Sequence, residues 1–198
     1  REGWMVYNKN DKFIGRSIKE YGEWSQGEID LFKQFLNPKD IVIEVGANIG
    51  SHSLALSKMV KEGLLFAFEP QNVVFQNLCA NLSLNSITNC YCYQSALSEN
   101  ENEKLHLPIV DYSIPYNFGA IALTNTKINS LSRVKVDRLD NIFSSFNNVK
   151  LIKIDVEGME LKVLKGGNKL IKRTRPILYL ENEILENSKD LIEYIFSL

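Results

Sequence analysis

Residues 41–53 read IVIEVGANIGSHS, and this stretch constrains the fold more than any other part of the chain. Ile41, Val42, Ile43 and Val45 form a short apolar, β-branched run, which is typical of a central parallel strand covered on both faces. Gly46 and Gly50 then predict a tight turn into a helix whose first amide groups are free to bind a ligand. Glu44 comes near the carboxyl end of the strand, where open α/β sheets bind their ligands. The alternative is an ordinary strand–helix turn in which the glycines serve geometry alone.

A second acid strengthens the ligand-binding interpretation. The apolar run Leu64–Phe68 ends in Glu69, about 20 residues past the glycine turn, where a carboxylate is placed to accept hydrogen bonds from ribose hydroxyls. A nicotinamide fingerprint would require glycine where Asn48 stands. The pattern Glu-x-Gly-x-x-x-Gly instead resembles motif I of class I S-adenosylmethionine-dependent methyltransferases. The sequence therefore favours a methyl donor over a dinucleotide.

Composition narrows the class of protein. A chain of 198 residues with 24% charged residues and a formal net charge of −1 predicts one globular domain without the basic field that nucleic acid would require. No apolar run approaches the roughly 20 residues of a transmembrane helix, and no signal-peptide pattern is seen, so we expect a cytoplasmic location. Because the chain begins at Arg1 rather than methionine, we expect an N-terminal segment to be missing. The cysteines lack a metal-ligand spacing, so no metal site is expected.

Alternating strand and helix patterns predict a mostly parallel central sheet with helices on both faces. Residues 1–24 are expected to form a small hairpin, with strands on either side of the turn Asn8–Asp11, ahead of the main domain at 25–198. Ser25-x-x-Glu28 predicts a capping box that opens a helix. Residues 99–136 interrupt the alternation and predict a β-excursion between the third and fourth core strands. Its long loop, 111–126, is expected to act as a lid or substrate wall, the alternative being a surface insertion.

Several segments together resemble the FkbM-type methyltransferases. The strongest are IEVGANIGSHSLAL at 43–56, FEP at 68–70 and KLIKIDVEGMELKVLKGG at 150–167, and three weaker ones accompany them, NFGA at 117–120, VKVDRLDNI at 134–142 and YGEW at 21–24. The resemblance implies a Rossmann-like class I fold, S-adenosylmethionine as cofactor, and methyl transfer, usually to a hydroxyl of a sugar, lipid-linked or natural-product acceptor. The family fold closes with an antiparallel hairpin after the fifth strand, so we expect C-terminal residues to be missing as well.

The same resemblance suggests which residues hold the donor. Glu44 and the glycine turn are expected at its methionine end, with the acid near the ammonium, and Ser51 replaces an aromatic residue that the family often has, which would widen the pocket. Glu69 is expected to bind the ribose, and residues just after the third strand are expected to form the wall beside the adenine. The predicted donor-binding residues are Glu44, Gly46, Ala47, Asn48, Gly50, Ser51, Glu69, Pro70, Ser95, Ala96 and Asp155.

Acceptor chemistry requires a residue that removes one proton from the reacting hydroxyl. Asp155, Glu157 and His52 are the candidates, the acids because they follow the fourth core strand and His52 because its ordinary pKa is near 6.5. Helix capping is the alternative role for both acids, and a structural hydrogen bond is the alternative for His52. Glu181, at the end of the fifth strand, is a weaker candidate. The residues expected to face the acceptor are Tyr112, Tyr116, Asn117 and Phe118.

The leading function is O-methylation of a small-molecule or glycan acceptor. The alternatives are a catalytically inactive module that keeps the donor site, a protein methyltransferase, and a nicotinamide-dependent oxidoreductase. The last is disfavoured by Asn48 and by the lack of a recognisable Tyr-x-x-x-Lys pair. Neither the acceptor nor the oligomeric state can be read from the residues.

Overall fold

The computed structural model describes residues 2–125 and 132–198. Its strands are β1 (Ile41–Val45), β2 (Leu64–Phe68), β3 (Cys90–Tyr93), β4 (Ala96–Leu97), β5 (Leu105–Leu107), β6 (Ser132–Val134), β7 (Val136–Asp137), β8 (Leu151–Ile154) and β9 (Ile177–Leu180). Its helices are α1 (Ile14–Tyr21), α2 (Gln26–Phe32), α3 (Ser51–Met59), α4 (Asn72–Leu84), α5 (Leu139–Ile142), α6 (Glu160–Gly166), α7 (Asn168–Thr174) and α8 (Leu185–Phe196).

The central sheet has five parallel strands in the order β3-β2-β1-β8-β9. The chain moves outward from β1 through β2 to β3, and then crosses back to place β8 on the other side of β1. This reversal opens a crevice at the carboxyl ends of β1 and β8, which is where such sheets bind ligands. The sheet confirms the predicted α/β, Rossmann-like class of fold.

Alternation along β1 assigns its side chains to two faces of the sheet. Ile43 and Val45 pack in the cluster that contains residues of α5, α6, α7 and α8, whereas Val42 packs in the cluster that contains residues of α2 and α3. Glu44 lies two residues after Val42 and therefore on the same face of the sheet, so its carboxylate is on the face covered by α2 and α3. On β8, Leu151 and Lys153 lie on that same face of the sheet, and Glu44 is the register partner of Lys153.

The predicted β-excursion is present between the third and fourth strands of the central sheet. β4 pairs with β7 in parallel, and β5 pairs with β6 in antiparallel fashion, over a separate apolar cluster that includes Leu105, Val134 and Met159. The segment that follows β5 contacts the N-terminal residues, because the Lys12 amide donates to the Tyr116 carbonyl and the Tyr116 amide donates to the Asn10 carbonyl, both at 3.0 Å. Thr126, the last residue of the predicted loop, lies outside the described residues.

The predicted N-terminal hairpin is wrong. No strand is present among residues 2–13, and the helix α1 begins at Ile14. The backbone there pairs with side chains of α4 and of the residue after it, since the Val6 amide donates to Asn81 Oδ1 at 2.5 Å and the Trp4 amide donates to Asn85 Oδ1 at 2.9 Å. These long-range amide contacts replace the strand pairing that local sequence favoured.

The predicted capping box is also absent. Helix α2 begins at Gln26 as expected, but Ser25 has a left-handed backbone (φ 47°) and its side chain makes no hydrogen bond to the helix. An N-cap normally has an extended backbone that aims its hydroxyl at the helix amides. The left-handed conformation of Ser25 is incompatible with that geometry.

Gly46 offers a direct test of how closely the turns after β1 and β8 approach. It has φ +86°, and a Cβ atom placed there would lie 1.8 Å from the Asp155 carbonyl oxygen. We expect Gly46→Ala to lower the free energy of unfolding by about 1–3 kcal/mol through backbone strain, with a further cost for displacing the chain at Asp155. Urea denaturation measures the change.

The matched control is Gly27→Ala in α2, where an added Cβ meets no atom within 4 Å. Because alanine is the better helix former by about 1 kcal/mol, this variant should be as stable as the parent protein or more stable. Equal stabilities for the two variants would contradict the close approach at Gly46.

Candidate functional site

Two adjoining cavities open at the carboxyl ends of the central strands. The small cavity has a volume of about 50 Å³ and the large cavity about 310 Å³. The residues that line both of them are Gly46, Glu69, Gly119, Asp155 and Glu157. The two cavities therefore form one continuous site whose midpoint lies between the turn after β1 and the turn after β8.

The glycine turn after β1 is fixed by backbone hydrogen bonds to the neighbouring strand. The amides of Gly46 and Ala47 both donate to the Phe68 carbonyl, at 3.0 and 2.9 Å. Asn48 has a left-handed backbone (φ 51°), and its side-chain Oδ1 accepts the Ile49 amide at 2.8 Å. Ala47, Asn48 and Ser51 all line the large cavity. Gly50 instead packs against α4, because a Cβ atom there would lie 2.8 Å from Leu78.

Glu69 occupies the junction between the cavities. Its side chain is buried, Oε2 accepts the Asn48 amide at 3.0 Å, and Oε1 accepts the Gln71 amide at 2.8 Å. Burial raises the pKa of the Glu69 carboxyl to about 7, against the opposing effect of those two amides. A carboxylate has about four acceptor positions, so about two remain without a hydrogen bond from the described residues. The arrangement suits a ligand that donates two hydrogen bonds, as a diol does.

The small cavity is a narrow, mostly apolar slot beside β4. Pro70, Ala96 and Leu97 form part of its wall, and Ile121 of the excursion covers it. Ser95 is buried there, and its Oγ makes no hydrogen bond among the described residues. Buried hydroxyls normally have a partner, so this one is available to a ligand. An apolar slot with one polar group fits a flat heteroaromatic ring.

Glu44 does not line either cavity, which differs from its predicted place beside the donor. Its side chain is 1% exposed and accepts a 2.5 Å hydrogen bond from the hydroxyl of Ser53 in α3. Burial raises the pKa of Glu44 to about 7, although the nearby Lys153 ammonium opposes the shift. The period-two alternation of β1 explains the difference, since it turns Glu44 toward α3 rather than toward the strand ends.

Lys153 is a site residue that the sequence did not indicate. Its side chain is 1% exposed, it lines the large cavity, and its Nζ donates to Asp155 Oδ2 at 2.9 Å. Burial by itself would raise the pKa of Asp155, but the Lys153 ammonium outweighs it and lowers that pKa below its ordinary value. Asp155 is therefore held ionised at the floor of the site.

For two further acids that line the large cavity, the pKa is raised rather than lowered. Burial, followed by the negative charge of Asp155, raises the pKa of Glu157 above its ordinary value. The same two causes raise the pKa of Glu181 to about 8, and its carboxyl shares a hydrogen bond with Asp155. Glu183 and Glu69 also line this cavity, which brings its acids to five among the described residues. Acidic groups with separated proton affinities in one cavity are typical of sites that move a proton.

His52 lines the large cavity, but the reason for predicting it as a proton acceptor is wrong. Burial and then the Lys153 charge lower its pKa to about 3, so the imidazole is neutral and weakly basic near pH 7. Its Nε2 lies 3.8 Å from Glu28 Oε2 and makes no hydrogen bond among the described residues. The ordinary pKa of 6.5 assumed from sequence ignored the loss of solvent.

Of the four residues predicted to face the acceptor, only Asn117 lines the large cavity. Phe118 is 3% exposed, with its ring centroid 4.8 Å from that of Tyr112 and 6.2 Å from that of Tyr116. Tyr112 donates its hydroxyl to Gln71 Oε1 at 3.2 Å, and Gln71 Nε2 donates to the Phe118 carbonyl at 2.9 Å. The Tyr112 side chain and the Phe118 carbonyl therefore attach the loop to Gln71, the residue before α4, and Gly119 and Ala120 line the large cavity instead.

Residues 2–125 and 132–198, the part of the chain that the structure describes, offer neither a metal cluster nor a membrane-spanning helix. No group of three or more His, Cys, Asp or Glu side chains there is arranged to hold a metal ion. None of the helices found there has the length and apolar character needed to cross a membrane.

Comparison with known proteins gives a family match and several relatives. The family described as "Methyltransferase FkbM domain" matches residues 44–197. Methyltransferase sdnD of Sordaria araneosa is 28% identical over 156 residues, which cover 63% of this chain and 59% of that protein. The match spans only part of these relatives: it covers 59% of the length of sdnD and 57% of the length of Methyltransferase 1 of Beauveria bassiana.

Solved structures share the fold at low identity. Precorrin-6y C5,15-methyltransferase of Geobacter metallireducens GS-15 aligns with a TM-score of 0.55 and 12% identity, over 98% of this chain and 79% of that one. SMU.1697c of Streptococcus mutans, solved in complex with S-adenosylhomocysteine (SAH), aligns with a TM-score of 0.52 and 12% identity, over 87% of this chain and 80% of that one. At such identities the likeness concerns the fold alone.

Proposed function

The chain belongs to the FkbM methyltransferase family, as its motifs predicted, and we propose that it transfers a methyl group from S-adenosylmethionine to a hydroxyl oxygen of a small molecule. One observation carries the proposal, the buried carboxylate of Glu69 between a narrow apolar slot and a larger polar cavity. The methyl donor has the same order of parts, an aromatic base, a ribose diol and a charged amino-acid tail.

In this proposal the adenine occupies the small cavity and meets the free hydroxyl of Ser95. The ribose hydroxyls donate to Glu69, and the methionine part lies in the large cavity along the glycine turn. The ammonium of the donor faces Asp155, whose ionised state is stabilised by Lys153. The sulfonium then lies between Asp155 and Glu157, which line both cavities.

Methyl transfer moves CH₃ in line from sulfur to the acceptor oxygen, so the positive charge on sulfur disappears during the reaction. The protein must align the two atoms, exclude water and remove one proton from the acceptor. Glu157 is the proposed proton acceptor. It lines both cavities, its pKa is raised, and no described residue donates a hydrogen bond to its carboxylate. A raised pKa makes a carboxylate a stronger base.

The charge of the large cavity narrows the class of acceptor. Its acids are Glu69, Asp155, Glu157, Glu181 and Glu183. The one lysine among its described lining residues is Lys153, and Asp155 already engages its ammonium. A phosphorylated or carboxylated acceptor would meet the ionised Asp155 in a partly desolvated site and would find no unpaired cation among the described lining residues, which costs free energy. The proposed acceptor is therefore neutral or cationic near the reacting hydroxyl, as in a sugar or a natural-product alcohol.

Glu69→Ala should weaken the binding of S-adenosylhomocysteine by about 1–3 kcal/mol, the cost typical of losing a charged hydrogen-bond partner. Isothermal titration calorimetry measures this change. Glu62→Ala, an exposed glutamate outside both cavities, is the matched control and should bind like the parent protein. An affinity that Glu69→Ala leaves unchanged would remove Glu69 from the donor site and the proposal with it.

The role of Glu157 predicts a carboxyl that holds its proton to a higher pH than an ordinary glutamate does. The side-chain ¹³C resonance, assigned by its loss in Glu157→Gln, should titrate above the ordinary value of about 4.3. In Asp155→Asn the midpoint should move down, because a negative neighbour that raises the pKa has been removed. A midpoint at or below the ordinary value would exclude Glu157 as the base.

A further inference from the structure

A third cavity, the loop groove, lies on the excursion next to the candidate site. Its volume is about 400 Å³, and its apolar lining residues include Ile109, Ile114, Tyr116, Ala120 and Ile121. Ile109, Ile114 and Tyr116 are 68%, 53% and 51% exposed. Clustered exposed apolar side chains on a soluble domain mark a binding surface more often than chance placement does.

The loop groove adjoins the site and shares lining residues with it. Ala120 lines both the loop groove and the large cavity, and Ile121 lines both the loop groove and the small cavity. The side chains common to the groove and the site are therefore apolar, and none of the acids that line the large cavity lines the groove. A molecule whose reactive group lies in the large cavity would meet Ala120 on its way to the groove.

Contacts with the rest of the protein hold the groove in shape. The backbone of Tyr116 pairs with Asn10 and Lys12, and the buried ring of Phe118 packs against Tyr116. Asp111, the one acid among the described residues that line the groove, accepts hydrogen bonds from the amide and hydroxyl of Ser113, at 2.9 and 2.6 Å. A preformed groove orders little on binding, so more of the apolar burial appears as affinity.

We propose that the loop groove binds the apolar part of the methyl acceptor, which makes the acceptor an amphiphile. Its hydroxyl-bearing end lies in the acid-lined large cavity, and an alkyl chain or hydrocarbon ring lies along Ile109 and Ile114. This inference rests on the proposed methyl transfer, since it concerns the acceptor of the same site. The inference also gives a role to the aromatic residues of the loop at 111–126. Tyr112 and Phe118 support the groove and do not contact the reacting group.

The test uses straight-chain 1-alkanols from butanol to octanol as probes, titrated into the S-adenosylhomocysteine-loaded protein with ¹³C-labelled isoleucine methyl groups. Each added CH₂ that is buried should raise the affinity about three- to fourfold. The shifted resonances should be those of Ile109, Ile114 and Ile121. An affinity independent of chain length, or shifts confined to other isoleucines, would overturn the inference.

Variants separate the groove from other apolar surface. Ile109→Asp and Ile114→Asp should each lower octanol affinity at least tenfold while binding S-adenosylhomocysteine within twofold of the parent protein. Leu185→Asp, which changes an 84% exposed leucine in α8, is the matched control and should leave octanol binding unchanged. Octanol binding that survives both groove variants would contradict the proposal. Self-association that is lost in Ile114→Asp would also contradict it, because the groove would then be an interface between copies.

The two proposals fail in different ways. If S-adenosylhomocysteine binds and octanol binding shows no dependence on chain length or on the groove isoleucines, the loop groove is not an acceptor site and the methyltransferase proposal stands. If S-adenosylhomocysteine does not bind, the methyltransferase proposal falls, and the acceptor inference falls with it.

Discussion

The ammonium of Lys153 is buried among parallel strands, and the chemistry of the site depends on it. A charge that is 1% exposed must be compensated. Here Asp155 accepts its hydrogen bond, and Glu44 on the adjacent strand places a second carboxyl group nearby. One cation therefore lowers the pKa of Asp155 and contributes to keeping His52 neutral. Removing it would leave two carboxyls in the interior without their counter-charge, which is far costlier than losing a surface ion pair.

A division of labour among the acids follows from this arrangement. Asp155 is held as an anion next to Lys153, and its charge in turn raises the pKa of Glu157 and of Glu181. One fixed negative group and two groups with higher proton affinity thus share a single cavity. That separation lets one part of the site attract a donor ammonium while another part takes up a proton.

Much of the site could be predicted from sequence because it depends on local patterns. The apolar runs, the glycine turn and Glu69 together defined strand ends that meet at one edge of the sheet. What could not be predicted depends on long-range contacts. The N-terminal backbone bonds to the side-chain amides of Asn81 and Asn85 instead of forming the predicted hairpin. Burial lowers the pKa of His52, and the ring of Phe118 is buried rather than directed at the acceptor. The residues that neighbour each of these positions in the sequence do not indicate the effect.

The central claim is that the donor spans the two cavities with its ribose at Glu69. A crystal structure of the protein with S-adenosylhomocysteine tests it most directly. The account predicts the ribose hydroxyls within hydrogen-bonding distance of Glu69, the adenine in the slot beside Ser95, and the amino-acid end toward Asp155. A ligand bound in the reverse direction, or outside both cavities, would contradict it.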